Sequence, residues 1–224
     1  NANTCSVIYN SNSSLDKTDR VEIRGNSFTG GSHAIFWSGY TTTKETGTII
    51  VNNTVTNFAQ KGIWVEKQNN IRVDSNVVKQ LVGKDPSPIG LAVRTTDTLQ
   101  VSYNEVVLKG TADAQTMQIR ECYADANHRG QIFNNMIVSS DVSTGSCIGI
   151  NFFQNANLDI FHNSVNVRSG DGTRAALRLN YNTGQVMTGH VIKNNIFRAD
   201  VGFALEVDPK FTVANVLTFD NNVY

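Results

Sequence analysis

Cysteine and proline are both scarce in this chain of 224 residues. Its three cysteines are Cys5, Cys122 and Cys147, and none has the Cys-x-x-Cys spacing of a structural zinc site. Three thiols cannot all pair within one chain, so we interpret them as small buried hydrophobic residues, with a bridge between Cys122 and Cys147 as the alternative. The low proline content and the many Asn, Thr, Ser, Val and Ile residues favour strands joined by turns over helices.

An excess of either charge is also absent. Lys+Arg and Asp+Glu both total 19, so no overall field attracts nucleic acid or an anionic membrane surface. No apolar run reaches the length of about 18 residues that membrane insertion needs. The first four residues lack the basic and apolar regions of a signal peptide, so we expect a mature protein or an excised segment. The chain stops in mid-coil at Tyr224, which predicts further domains in the natural protein.

One asparagine recurs in eight equivalent contexts, at spacings of 23 to 32 residues. An apolar residue lies three positions before each of them, and another lies two positions after. The eight are Asn26, Asn53, Asn76, Asn104, Asn135, Asn163, Asn195 and Asn222. A period of this length is typical of solenoids, in which each repeat forms one coil. The pattern predicts an all-β fold, a single-stranded right-handed parallel β-helix of about eight coils, with residues 1–224 as a single domain.

The asparagine suits a corner that follows a short strand. Asn tolerates the left-handed backbone conformation, and its amide can bond to the amides of the coils above and below. We therefore assign the eight asparagines a structural role.

A second short strand in each coil shows as two apolar residues separated by one position. We expect these pairs to point into the core. They are Ile35 and Trp37, Ile63 and Val65, Leu91 and Val93, Met117 and Ile119, Ile148 and Ile150, Leu177 and Leu179, and Leu205 and Val207. Extra residues must form loops, at 40–47, 124–130, 182–189 and 210–215 on one side and at 80–87, 109–114, 139–145 and 168–173 at another corner. In solenoids such insertions often border the binding site.

The recurring asparagine after an alternating strand resembles the parallel β-helix repeat of the pectate-lyase-like superfamily, over nearly the whole chain. The stretches LDIFHNSVNV, AALRLNYNTG and HVIKNNIF are also similar to repeats in large secreted surface proteins of Bacteroidota-type bacteria. These resemblances imply an extracellular or cell-surface protein that acts on polysaccharide. The Asn-Thr-Asp, Asp-Asp and Gly-His-Gly motifs of the pectin hydrolases do not occur in the sequence, and no lyase signature does.

Residues between and just after the apolar pairs must face outward, in two columns. The first column is Phe36, Trp64, Ala92, Gln118, Gly149, Arg178 and Glu206. The second column is Ser38, Glu66, Arg94, Arg120, Asn151, Asn180 and Asp208.

The central coils of these columns predict a groove that binds an extended glycan. Aromatic faces pack against sugar rings, while Arg, Asn and carboxylate groups bond to hydroxyls. Two arginines in adjacent coils repel each other unless a carboxylate or a bound anion satisfies them. A solvated sheet face with ordinary ion pairs is the alternative interpretation. The predicted substrate-binding residues are Trp64, Glu66, Arg94, Arg120, Glu121, Tyr123, Asn151, Phe152, Asn180 and Tyr181.

Three functions are compatible with this face. The first hypothesis is a polysaccharide-binding domain with no required cofactor. The second is a polysaccharide lyase or related enzyme, with Arg94, Arg120, Lys67 and Glu66 as the candidate catalytic residues. Glu66 and Glu121, two coils apart, also have roughly the separation of a glycosidase carboxylate pair. The third hypothesis is a structural spacer within a surface adhesin.

Metal ligands and nucleic-acid motifs form no pattern in the sequence. The four histidines fall in different coils and at different corners, so we expect no histidine metal site. Gly-rich phosphate-binding loops and basic patches interleaved with aromatic residues do not occur. Calcium remains open because five aspartates lie in or near loops, although no Asp-x-Asp-x-Asp run occurs. These are Asp85, Asp97, Asp113, Asp125 and Asp171.

Overall fold

The structure, a computed structural model, is a parallel β-solenoid with three parallel sheets, and this confirms the predicted all-β class. It describes residues 5–11, 18–81, 87–109, 113–140, 145–168, 174–180, 187–209 and 217–224, and these ranges contain no helix. Its strands are numbered β1 to β25 in chain order.

Sheet A has eight strands, one from each coil. In spatial order they are β1 (Ser6–Ser11), β4 (His33–Ser38), β8 (Lys61–Glu66), β12 (Ile89–Arg94), β15 (Ala114–Arg120), β18 (Cys147–Phe153), β21 (Arg174–Asn180) and β24 (Phe203–Val207).

Sheets B and C complete each coil. Sheet B is β2 (Glu22–Arg24), β6 (Ile49–Val51), β10 (Ile71–Asp74), β13 (Leu99–Ser102), β16 (Gly130–Phe133), β19 (Leu158–Phe161), β22 (His190–Lys193) and β25 (Leu217–Asp220). Sheet C is β3 (Ser27–Thr29), β7 (Thr54–Thr56), β11 (Val77–Gln80), β14 (Glu105–Lys109), β17 (Met136–Ser140), β20 (Ser164–Val167) and β23 (Ile196–Ala199). A two-stranded sheet pairs β5 (Glu45–Thr46) with β9 (Gln68–Asn69). In each of sheets A and B, six of the eight strands pair with a neighbour on both sides, and two lie at the edges. The solenoid therefore has about six turns that are enclosed between neighbouring coils, with an edge coil at either end.

The core is one continuous cluster of apolar side chains inside the three sheets. The strands of sheet C bury every second residue, and in all three sheets equivalent residues stack in register between coils. Val73, Val101 and Ile132 form one such row in sheet B. The short alternating strands of the sequence produce this arrangement because only one side of each strand faces the interior.

The asparagine ladder has the predicted stacking, and Asn76 illustrates its hydrogen bonds. The backbone N–H and the Nδ2–H of Asn76 both donate to Oδ1 of Asn104 in the next coil, at 3.1 and 3.0 Å. Asn76 Nδ2 also donates to the carbonyl oxygens of Ile50 at 2.8 Å and Asp74 at 3.1 Å. The side-chain bond repeats from Asn26 to Asn222, so each side chain bridges neighbouring coils.

The left-handed conformation belongs to the residue before each ladder asparagine, which corrects the expectation that the asparagine itself adopts it. All eight of these preceding residues have φ between 50° and 66°: Gly25, Asn52, Ser75, Tyr103, Asn134, His162, Asn194 and Asn221. The turn at this residue directs the next side chain, the asparagine, into the buried corner.

The three cysteines are free thiols, so the alternative of a Cys122–Cys147 bridge is wrong. Cys122 and Cys147 are buried as expected, whereas Cys5 is exposed. Cys122 lies at the corner between sheets A and B and imitates a ladder asparagine, because its thiol donates to the carbonyl oxygens of Arg120 and Val93 at 3.4 and 3.6 Å. Burial raises the pKa of Cys122 to about 11, so the thiol keeps the proton that it donates.

Replacing Asn135 by Leu should lower the free energy of unfolding. Asn135 Oδ1 accepts two hydrogen bonds from Asn104, and Nδ2 donates to the carbonyl of Val101. Each buried group left without a partner costs roughly 1–3 kcal/mol. Urea titration of both proteins measures the difference, and Asn127→Leu in an exposed loop is the control. If the ladder did not contribute to stability, Asn135→Leu and the parent would unfold at the same urea midpoint.

Buried His190 should make stability fall as the solution is acidified. Its Nδ1 accepts from the Leu158 N–H at 3.3 Å, which leaves Nε2–H to donate to the Asn155 carbonyl at 3.1 Å. Burial lowers the pKa of His190 from its ordinary value of 6.5 to about 4, with nearby Arg129 lowering it and Asp159 raising it. The neutral ring therefore stabilises the fold fully above about pH 6.5, and this contribution is lost as pH falls towards 4.

The expected loss from His190 at pH 5 is about 2 kcal/mol relative to neutral pH. Thermal unfolding at a series of pH values measures it. His190→Gln should flatten the profile between pH 4 and 6.5, while His128→Gln in an exposed loop should not. Equal profiles for the parent and His190→Gln would contradict this assignment.

Candidate functional site

The chain departs from its regular repeat mainly where it enters and leaves sheet A. The predicted loops at 80–87, 109–114, 139–145 and 168–173 precede strands of this sheet, and those at 40–47, 124–130, 182–189 and 210–215 follow them. Parts of six of these eight loops lie outside the described residues. Because insertions on both sides flank one face, the outer face of sheet A is the candidate site.

Three columns of side chains run along this outer face. The middle column is Phe36, Trp64, Ala92, Gln118, Asn151, Arg178 and Glu206. On one side lies the column Ser38, Glu66, Arg94, Arg120, Phe153 and Asn180. On the other side lies the column His33, Lys61, Ile89, Gln115, Ile148 and Ala175. Arg94 and Arg120 are therefore neighbours on one face, as the sequence predicts.

A local irregularity in the strands creates the third column. In β8 both Gly62 and Ile63 face the core, because a Cβ on Gly62 would lie 2.6 Å from Cγ1 of buried Val78. Lys61 consequently falls on the outer side, where its Nζ lies 3.8 Å from the centre of the Trp64 ring.

The register of β18 differs from the prediction by two residues. Ile150 and Phe152 form the inward pair, in register with Met117 and Ile119, so Ile148 lies on the outer face. The assignment of Phe152 to the binding surface is wrong, because its side chain is 1% exposed and belongs to the core.

The same shift moves two residues of the predicted columns. Gly149 faces inward, since a Cβ there would collide with Val165 of the core. Asn151 moves to the middle column, and Phe153 takes its place beside Arg120.

Trp64 and Glu66 form a tight cluster at the foot of the predicted groove. Trp64 Nε1–H donates to Glu66 Oε2 at 3.0 Å, and Ser38 Oγ–H donates to Glu66 Oε1 at 3.0 Å. Phe36 stacks on Trp64 with ring centres 6.3 Å apart, and Trp64 is only 6% exposed. Trp64 thus offers little open ring surface, and Glu66 is already engaged as an acceptor.

The two arginines differ in how well they are paired. Arg120 Nε donates to Glu121 Oε1 at 3.0 Å, and its guanidinium lies 4.6 Å from the Phe153 ring centre. The closest carboxylate oxygen to Arg94 is on Glu66, 3.9 Å from Nη1, which is beyond hydrogen-bond range. Burial, and then the Arg120 guanidinium, lower the pKa of Arg94 against the opposing effect of Glu66 and Glu121.

Besides His33 Nδ1 in β4, three buried polar atoms on this face have no hydrogen-bond partner among the described residues. They are Arg94 Nε, Gln118 Oε1 and Arg178 Nη2. Gln118 is 7% exposed, and its amide nitrogen donates to Gln115 Oε1 at 2.8 Å. An orphaned buried group costs free energy, so three of them on adjacent or near-adjacent coils call for a partner.

Gln118 and Arg178 are functional candidates that the predicted residue set omits. Both occur in the first outward column of the sequence, whereas Glu66, Arg94 and Arg120 lie in the second. Arg178 Nε donates to Glu206 at 2.6 Å, and Asn180 Nδ2 donates to Asn151 Oδ1 at 2.9 Å. We call the outward polar side chains of four successive coils, Arg94, Gln118, Asn151 and Arg178, the polar row. The contacts of Arg178 and Asn180 continue this row towards the last coil.

The remaining predicted residues lie at the edge of the face or outside the described part. Lys67 and Glu121 are corner residues with φ of 57° and 56°, directly after the strands of Glu66 and Arg120. Tyr123 lies beyond the corner, where its backbone bridges to Ala156, and burial followed by Glu121 raises its pKa. Tyr181 lies outside the described residues.

Metal and membrane features can be stated for the described ranges only. They contain no cluster of three or more His, Cys, Asp or Glu side chains that could hold a metal ion. Asp85 and Asp171 of the calcium hypothesis fall outside these ranges. Within the same ranges no helix is long and apolar enough to cross a lipid bilayer.

Comparison with known proteins adds no relative to this picture. The sequence matches no model of a protein family, and no curated protein sequence is significantly similar to it. The class of the protein, a parallel β-solenoid, therefore follows from the fold itself.

Replacing Lys67 by Gly should stabilise the protein by about 1 kcal/mol, since glycine adopts a positive φ without the steric cost of a side chain. The ammonium of Lys67 lies 3.8 Å from Glu66, too far for a strong bond. Lys79→Gly is the matched control, because Lys79 also faces a glutamate but lies within strand β11, so this change should destabilise. Urea titration compares the two, and a destabilised Lys67→Gly would mean that the lysine side chain itself is needed.

Proposed function

We propose that the chain is an extracellular or cell-surface polysaccharide-binding domain of the pectate-lyase-like β-helix class, within a larger protein. An extended glycan lies along the outer face of sheet A and contacts Arg94, then Gln118 and Arg120, then Asn151 and then Arg178. The strands of this face are about 4.8 Å apart. A linear chain of sugar units can therefore meet a new polar side chain at every coil.

The orphaned atoms of Arg94, Gln118 and Arg178 are the observation that carries this proposal. Sugar hydroxyls both donate and accept, so one glycan can satisfy the two guanidinium groups and the Gln118 carbonyl together. Because the three atoms are buried in the free protein, this requires the side chains to turn outward when the glycan binds. Arg94 and Arg120 also stand in adjacent coils, and the Glu66 carboxylate, 3.9 Å from Arg94 Nη1, is too far for a hydrogen bond. A carboxylate or hydroxyl-rich sugar unit beside Arg94 would relieve both the repulsion and the missing bond.

Solvent reaches the arginines at the centre of the row. The Arg94 side chain is 22% exposed and that of Arg120 is 37% exposed. Trp64 lies beneath Arg94, with its ring centre 4.8 Å from the guanidinium carbon. Its role in this proposal is to hold Arg94 in place through a cation–π contact.

Arg94→Ala and Arg120→Ala should each weaken binding of an acidic or hydroxyl-rich glycan by about 1.5–3 kcal/mol, the usual contribution of charge-assisted hydrogen bonds. Neither change should unfold the protein, because both side chains lie outside the core. A glycan array identifies the ligand, and calorimetric titration of each variant gives its affinity. Trp64→Ala should weaken binding as well, through loss of support for Arg94.

Arg198→Ala is the control for these variants. Arg198 lies on sheet C, pairs with Asp200 and is far from the polar row. The Arg198→Ala variant should bind the glycan with the same affinity as the parent. If the Arg94 and Arg120 variants bind like the parent and lose stability, the face is structural, and the hypothesis of an adhesin spacer takes precedence.

A polysaccharide lyase is the second candidate, and the lowered pKa of Arg94 favours it. A catalytic base needs an environment that lowers its pKa towards the working pH, and burial beside Arg120 acts in that direction on Arg94. Ultraviolet absorbance of unsaturated products during incubation with the glycan distinguishes the two candidates. A rise that disappears in Arg94→Ala would establish cleavage, whereas binding with constant absorbance would leave the binding function.

A further inference from the structure

A groove of about 580 Å³ lies on sheet B, away from the polar row of sheet A. Its floor is formed by Phe161 and Val191 in adjacent coils, and its rim by Lys193, Asn194 and Arg129. The volume is in the range of small-molecule sites, which is roughly 300–1,000 Å³.

The groove continues a row of stacked aromatic rings. Phe133 and Phe161 are face to face, with ring centres 5.0 Å apart and planes inclined by 1°. Tyr103 meets the edge of Phe133 at 5.6 Å, and His162 meets the edge of Phe161 at 5.4 Å. In the next coil the position in register with Phe161 is Lys193, so the aromatic row ends there.

The face of Phe161 that points towards Lys193 has no aromatic neighbour among the described residues. No cation lies over Phe161 among the described residues, although Trp64 and Phe153 each have such a partner. A planar ring inserted between Phe161 and Val191 would extend the row by one member. Aromatic rings prefer such offset contacts, with centres about 4.5–7 Å apart.

The charged residues at the rim of the groove favour a ligand with one anionic group over a ligand with several. Arg129 Nε donates to Asp159 Oδ1 at 2.8 Å, and Nη2 donates to the Gly189 carbonyl at 2.6 Å, so this guanidinium is engaged. Lys193 forms no ion pair among the described residues and is exposed at the groove. The Asp159 carboxylate would repel a second negative charge.

We infer that the sheet B groove binds a planar aromatic monocarboxylate, with its ring on Phe161 and its carboxylate on Lys193. The apolar floor suits an aromatic ring better than a sugar, because Arg129 and Asp159 already bond to each other and leave few partners for hydroxyls. This site is independent of the glycan proposed for sheet A, and each proposal can fail without the other.

The test titrates the whole chain with trans-cinnamate and records the chemical-shift changes by two-dimensional NMR. Shifts should concentrate at Phe161, His162, Val191 and Asn194. Lys193→Met should weaken cinnamate about tenfold or more through loss of a charge-assisted bond. Phe161→Leu should weaken it about two- to tenfold through loss of ring stacking. Val191→Trp, which fills the groove from an outward strand position, should abolish binding.

Controls separate this site from the rest of the surface. Lys79→Met on sheet C and Arg94→Ala on sheet A should both bind cinnamate like the parent. Cinnamyl alcohol, which keeps the ring without the charge, should bind about tenfold more weakly than cinnamate. Preserved binding in both Lys193→Met and Val191→Trp would overturn the inference, as would shifts confined to sheet A. Glucuronate binding in this groove with an affinity at or above that of cinnamate would overturn the aromatic class of ligand.

Discussion

A single buried asparagine per coil constrains the rest of this solenoid. Its carbonyl oxygen accepts two N–H groups from the preceding coil, and its amide nitrogen donates to backbone carbonyls on both coils, as Asn104 does. The backbone turns away from strand pairing at this corner, and its buried polar groups must still find partners. Every coil must therefore return to the same point, whatever its length. The variation of 23 to 32 residues between ladder positions has to be absorbed elsewhere.

That variation is absorbed on both sides of sheet A, and this places the candidate site. Sheets B and C connect through the short ladder corner, whereas the chain enters and leaves sheet A through segments of varied length. In-register stacking then determines which side chains meet on the face between them. Arg94 is forced against Arg120 on one side and Glu66 on the other, because each coil adds one residue to the same column. The polar row follows directly from the stacking of coils.

The polar row of sheet A and the groove of sheet B differ in extent because they arise from different patterns along the same stack. The outer face of sheet A repeats a polar position over successive coils, which matches an elongated ligand that runs along the solenoid. The sheet B groove depends on the end of an aromatic row at Lys193 and is local to three successive coils. In-register stacking gives an extended surface where equivalent residues of successive coils are chemically alike. It gives a compact site where the residue of one coil differs from its neighbours, as Lys193 differs from Phe133 and Phe161.

The sequence by itself determined the solenoid, the ladder and most of the inward pairs, because these depend on periodic spacing that neighbouring coils share. The register predicted for β18 was wrong, because Ile148, Ile150 and Phe152 are all apolar at alternate positions and either pair fits the pattern. Only backbone pairing with β15 and β21 places Phe152 in the core and Ile148 outside. The third column, the orphaned atoms of Gln118 and Arg178 and the Phe133–Phe161 stack were likewise decided by tertiary structure. Each depends on which residues of separate coils come into contact, and that alignment is set by hydrogen bonding between strands about 30 residues apart in the chain.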